Sequence, residues 1–217
     1  MATVIANKKV SRLQVYNIIF VALIFYVFSM LILKEEQTYQ SQVIAELEST
    51  KRQANEGVWS AIDSRARDRH QELLYNSGAY ALIKKWFIPK ESDSPVNNTF
   101  SGKWNYRAVT NIQVLHFQVM HRFSSIEHWA VELSFFSLAI IVWGYNRWRA
   151  GKYRLGGASV NRVRLWLKLM WITVGMLLTF VVSPNIFGEY TYYAPAVFIV
   201  VLSFTVSKLI QSFNKSF

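Results

Sequence analysis

The chain has 217 residues, of which 52% are apolar or aromatic and only 17% are charged. It contains no cysteine, which excludes disulfides, thiolate nucleophiles and Cys-ligated metal sites. Its 24 Lys and Arg against 13 Asp and Glu give a net charge of +11, the balance of a partner for nucleic acid or for an anionic membrane surface.

Its 15 Phe, 11 Tyr and 8 Trp gather near the ends of long apolar runs, and four Pro with nine Gly are too few for a disordered or fibrous chain. A helix crossing the roughly 30 Å hydrocarbon core needs about 20 mostly apolar residues. Residues 1–12 are a short basic terminus carrying Lys8, Lys9 and Arg12. Residues 13–33 form an uncharged first span whose long core and charged exit read as a retained anchor, not a cleaved signal. Residues 126–145 form a second span with Trp129 and Trp143 as interfacial anchors. Residues 165–183 form a third, with Lys168 near its start, where its stem can snorkel. Residues 184–190 are a turn, and residues 191–210 are a fourth span with Pro195 in the first turn. The expected fold class is all-α: a polytopic membrane protein with four transmembrane helices and a helical periplasmic segment between the first and second.

Basic residues in short loops stay cytoplasmic. The amino terminus, the loop at 146–164 and the tail at 211–217 hold bases without acids, whereas most acids lie in 34–125. Both termini are therefore expected in the cytoplasm, with 34–125 outside.

Within 34–125, Gln37–Tyr75 has helical spacing, with Val43, Leu47, Ala54, Val58, Ile62 and Leu73 on one face. Glu46, Lys51, Arg65, Asp68 and Glu72 fall elsewhere. Ala79–Ile88 reads as a short aromatic-faced helix stopped by Pro89, and residues 90–103 as a loop. Tyr106–Arg122 is again helical, with Val109, Ile112, His116, Val119 and Phe123 on one side, and is expected to run into the second span as one long helix.

Two constellations bear on chemistry. His116, His121, Glu127, His128 and Glu132 lie close in sequence, and His121, His128 and Glu132 share a helix face, as two imidazoles and a carboxylate of a metal site would. The better reading places polar tips at the outer headgroups, with Glu132, beside His128, turned inward as an intramembrane polar contact. No catalytic motif occurs, and neither metal nor cofactor is expected. The second constellation is the loop carrying Arg147, Arg149, Lys152, Arg154, Gly156, Gly157, Arg162 and Arg164. Positive-inside topology and anionic lipid, worth about 1 kcal/mol per surface base, explain it better than direct nucleic-acid contact, with protein docking between the two. Gly151, Gly156 and Gly157 mark a tight turn. Gly175 with Thr179, and Ser203 with Ser207, offer small residues for close helix packing.

The order of parts, with Glu36-Gln37 after the first span, Arg147…Arg154-Leu155-Gly156-Gly157 in the loop, the pair Leu165–Ser183 and Thr191–Ile210, and the Ser212-Phe213-Asn214-Lys215 tail, resembles a membrane-protein family. That family occurs in integrating conjugative elements and conjugative plasmids and is defined by a domain of unassigned function. The resemblance implies a role in conjugative DNA transfer through a type IV secretion system. The expected function is a non-enzymatic inner-membrane subunit that binds and positions the coupling ATPase or another transfer component. Anionic lipid on the cytoplasmic side and a homo-oligomer are further expected associations. The rival readings are a homo-oligomeric channel or transporter, an entry-exclusion factor acting through 34–125, and an enzyme using His116, His121, His128 and Glu132.

Overall fold

The computed structural model describes residues 21, 25, 26, 29, 31–88, 100–151, 160–183 and 187–212, and among them every regular element is helical, with no strand. The terminus at 1–12, most of the span at 13–33, the loop residues 90–99 and the tail from 213 lie outside the described residues.

Helix α1 (Glu36–Gln53) opens on Glu36 and closes on Lys51 and Arg52. Helix α2 (Glu56–His70) repeats the pattern, with Glu56 first and Arg67, Arg69 and His70 last. Each distribution complements the helix macrodipole. Between them Ala54 and Asn55 are extended, so Gln37–Tyr75 is not the single helix its spacing predicts. Beyond α2 the chain widens into a π turn over Gln71–Asn76. That extra width shifts the register, and Leu74 is buried while Leu73, expected inside, is exposed. Gly78, at φ 78°, then makes the left-handed corner into α3 (Ala79–Phe87).

Helix α4 (Phe100–Glu132) has 33 residues, about 50 Å of helix, and starts inside the stretch expected as loop. It does not run straight into the second span. The chain bends by 60° at the break between Glu132 and Ser134, where α5 (Ser134–Gly151) begins. The break falls where charge ends: Glu127, His128 and Glu132 stay with α4, and only the uncharged run from Ser134 turns into the bundle. Helix α6 (Val160–Val182), a short 3₁₀ turn at Gly188–Tyr190 and α7 (Ala194–Ser212) complete the described chain.

By length and composition α6 and α7 can each cross a membrane, and the bent pair α4–α5 supplies a third crossing if it counts as one broken span. The outer faces of α5, α6 and α7 carry exposed Phe135, Leu138, Trp171, Ile172, Met176, Leu178 and Val197, an apolar surface that suits lipid and not water. Helices α1, α2 and α4 form a second layer. The layers meet at a core of Phe180, Val181, Ala194 and Phe198, against which Val119, Ile126 and Phe187 pack.

Of the small residues Ser203 and Ser207, both buried, Ser207 lies against α5. A Cβ on Gly144 would meet the Ser207 carbonyl oxygen at 2.8 Å and its Cα at 2.9 Å. Gly175 faces open space.

Candidate functional site

The seam between α1 and α4 is polar where an apolar stripe was expected. Tyr39, Val43, Glu46, Ser49 and Thr50 are the buried positions of α1, and Tyr39, Val43, Glu46 and Thr50 are spaced by four, three and four. From α4, Gln118 and Arg122 meet them, and Asn111, Gln118, Arg122 and Ser125 are all buried on one helical face. Glu46, placed elsewhere by its polarity, is thus only 1% exposed, and so is Arg122, whereas Phe123, expected inside, is exposed.

Arg122 is the hub. Its Nε donates to Glu46 Oε1 at 2.6 Å and its Nη2 to Oε2 at 2.6 Å, the bidentate fork that suits guanidinium and carboxylate. Its Nη1 donates to the carbonyls of Phe180 and Ser183. These belong to the end of α6, where carbonyls lack helical partners and the macrodipole is negative. The guanidinium also lies 4.8 Å from the Phe180 ring centroid. Glu46 receives a third bond, from Gln118 Nε2 at 3.0 Å, and Tyr39 Oη donates to Gln118 Oε1 at 2.9 Å. Burial pushes the Tyr39 phenol up, with the Arg122 charge opposing it. One buried ion pair therefore joins α1, α4 and the end of α6.

Satellite bonds extend the seam. Asn111 Nδ2 donates to the carbonyls of Leu31 and Lys34, at 3.0 and 3.1 Å, and so fixes the chain entering α1. Ser49 donates to the Glu189 carbonyl at 3.3 Å, tying α1 to the turn before α7. Trp129 Nε1 donates to the Tyr192 carbonyl at 2.8 Å.

The histidines do not converge. His121 is buried beside Trp59, ring centroids 5.4 Å apart. His70 and His116 pair across α2 and α4, Nδ1 to Nδ1 at 2.8 Å. His128 stacks near Trp129 at 5.5 Å. Glu132 is exposed, a correction to the inward contact expected of it: the bend after it turns α5 away and leaves its side chain outside the bundle. Glu127 instead takes Arg69 at 2.9 Å and Arg65 at 3.5 Å. Among the described residues no group of three or more His, Asp or Glu is placed to hold a metal.

Of the basic loop, Arg147 and Arg149 lie exposed on the last turns of α5, and Arg162 and Arg164 exposed on the first turns of α6. Lys152, Arg154, Gly156 and Gly157 lie outside the described residues. Gly151 is helical.

No family model, curated protein or solved structure matches the chain.

The buried imidazoles give the layer of α1, α2 and α4 a pH dependence. Burial lowers the pKa of His121 to about 4, Glu46 and Asp63 pulling it back only in part. Burial also lowers His70 and His116, and their mutual repulsion adds to the effect on His70. The unfolded chain therefore binds more protons below about pH 6.5, and stability is lost as pH falls through that window. His121 alone accounts for about 2 kcal/mol between pH 7.5 and pH 5. Thermal unfolding of the detergent-solubilised chain is expected to fall in Tm over this range, and His121→Phe to flatten the curve. A pH-independent Tm would show that these imidazoles are hydrated.

Proposed function

We propose that the chain is a non-enzymatic inner-membrane subunit of a conjugative DNA-transfer apparatus that binds and positions the coupling ATPase or another transfer component. The observation that carries the non-enzymatic part is how the buried polar groups are spent. Glu46, Arg122, Gln118, Tyr39 and Asn111 all bond across helices, which is the chemistry of an assembly joint. No nucleophile sits beside a base among them, and the Arg122 donors are engaged by Glu46 and the end of α6. The apparatus itself is named on the resemblance carried by Glu36-Gln37, Arg147…Gly157 and the closing apolar pair.

In this reading four spans thread the membrane with both termini in the cytoplasm, and residues 34–125 lie outside. The exposed Arg147, Arg149, Arg162 and Arg164 face anionic lipid and a cytoplasmic partner. The test is copurification from native membranes. Full-length chain is expected to bring down the coupling ATPase, and a chain with Arg147, Arg149, Arg162 and Arg164 changed to Gln is expected to lose it at least about tenfold. Recovery of the chain with no transfer protein would contradict the reading.

An exclusion factor is the second reading, and one feature favours it: Leu82 and Trp86 stand one turn apart on α3, Trp86 at 82% exposure, an apolar pair on the external layer. Substituting both with Ser would then abolish exclusion and spare DNA transfer.

A further inference from the structure

Two grooves share one ring, the first on the seam of α5 and α7 and the second along the end of α5. The first, about 390 Å³, is walled by Phe136, Ala139, Ile140, Trp143 and Phe204. The second, about 590 Å³, is walled by Trp143, Asn146, Arg147, Ala150 and Gly151. One is apolar throughout; the other is polar and basic.

Trp143, at their junction, carries two cations. The Arg147 guanidinium lies 5.0 Å from its ring centroid and the Lys208 ammonium 5.1 Å. Lys208 also lies 5.2 Å from the Phe204 ring, which belongs to the apolar groove. Neither α5 nor α7 contains Asp or Glu, and among the described residues no carboxylate pairs with Arg147 or Lys208. Two positive charges on one ring, with no carboxylate partner among the described residues, make a site of positive potential at the end of an apolar trough. The close approach of Gly144 to Ser207 sets this geometry, because it brings the two backbones together next to Trp143 and Lys208.

We propose that this seam binds one anionic phospholipid of the cytoplasmic leaflet. The headgroup phosphate sits between Arg147 and Lys208, and an acyl chain lies against Phe136, Ala139, Ile140 and Phe204. The dimensions agree. From Phe136 to Trp143 the trough rises about 10 Å, and Arg147 lies about 6 Å further on, so trough and cation together span about 16 Å, close to half of the roughly 30 Å hydrocarbon core. Charge complementarity selects an anionic headgroup, and the adjoining trough selects a lipid over a free anion, which would leave that trough empty. The proposal rests on α5 and α7 crossing the bilayer with residues 146–151 inside. The sidedness of residue 150 is read separately by chemical labelling, so failed lipid binding is distinguishable from wrong topology.

The experiment uses the full chain in neutral detergent, with phosphatidylglycerol, phosphatidylcholine or inorganic phosphate added, and native mass spectrometry as the readout. Wild type is expected to retain one phosphatidylglycerol and no phosphatidylcholine. The double change Arg147→Gln with Lys208→Gln lowers occupancy about tenfold. Ala139→Trp, which fills the trough and keeps both cations, lowers it comparably. Arg149→Gln, which removes a neighbouring charge outside both grooves, changes it less than about twofold. Equal loss in Arg149→Gln would reduce the effect to general surface potential and overturn the proposal. So would equal retention of phosphatidylcholine, or competition by inorganic phosphate together with undiminished binding in Ala139→Trp. A second readout keeps the proposal falsifiable: phosphatidylglycerol with brominated chains is expected to quench part of the tryptophan fluorescence of the wild-type chain, and Trp143→Phe, which retains both cations, to reduce that quenching. Quenching unchanged in Trp143→Phe would also overturn it.

Discussion

Arg122→Met is expected to destabilise the chain by about 3–5 kcal/mol, the largest effect of any single substitution outside the apolar core. The cost does not measure the strength of one ion pair. Removing the guanidinium strands the Glu46 carboxylate, 1% exposed, with only Gln118 still bonded to it, and strands the carbonyls of Phe180 and Ser183 at the end of α6. A buried charge without its partner is far more costly than a pair that was never there. The double change Glu46→Leu with Arg122→Met should therefore be less harmful than the sum of the two single changes, because it removes both charges together. Unfolding of the detergent-solubilised chain by denaturant, followed by circular dichroism, measures all three. Single changes below about 1 kcal/mol that simply add would show that the pair is hydrated and peripheral.

The second large effect concerns a glycine. Gly144→Ala is expected to cost about 1–3 kcal/mol, since its Cβ would fall 2.8 Å from the Ser207 carbonyl oxygen and 2.9 Å from its Cα. Those atoms are backbone and can yield only if α7 moves off α5, so Ser207→Gly should not rescue it. Gly175→Ala is the internal control. Nothing lies within 4 Å of a Cβ there, and replacing a helical glycine by alanine stabilises by about 0.5–1 kcal/mol. The two substitutions, identical in chemistry, are expected to shift Tm in opposite directions. Equal shifts would contradict the α5–α7 packing and, with it, the geometry of the Trp143 seam.

These residues also show what the sequence could and could not disclose. The helices were legible because apolar length and positive flanks are properties of the local chain, and α6 and α7 appear within a few residues of the predicted spans. Helices α1, α2 and α4 were legible as helices but not in their facing. Binary patterning sends polar residues to solvent, and here Glu46, Asn111, Gln118, His121 and Arg122 are buried because each meets a complementary group or ring from another element. That complementarity spans 76 residues of chain between Glu46 and Arg122, beyond any local window. A usable signal existed: Glu46 falls in step with Tyr39, Val43 and Thr50, and Arg122 in step with Asn111 and Gln118, so opposite charges occupy the helical faces that come together. The bend after Glu132 was hidden for a different reason. Nothing between Ile126 and Tyr145 is a proline or glycine except Gly144, and the turn instead follows the change from charged to uncharged residues. Glu132 was assigned to the interior on the assumption of a straight helix, and the bend is what leaves it outside.

The proposed role requires one sidedness, with residues 34–125 outside and the arginines after Trp143 inside. Because the natural sequence contains no cysteine, single-cysteine variants test this without background. Asn76→Cys, in the π turn after α2, and Ala150→Cys, near the end of α5, are both exposed positions. In intact cells a membrane-impermeant maleimide is predicted to label Asn76→Cys fully and to leave Ala150→Cys unlabelled until the membrane is permeabilised. Labelling of Ala150→Cys in intact cells with protection of Asn76→Cys, or equal labelling of both, would contradict it.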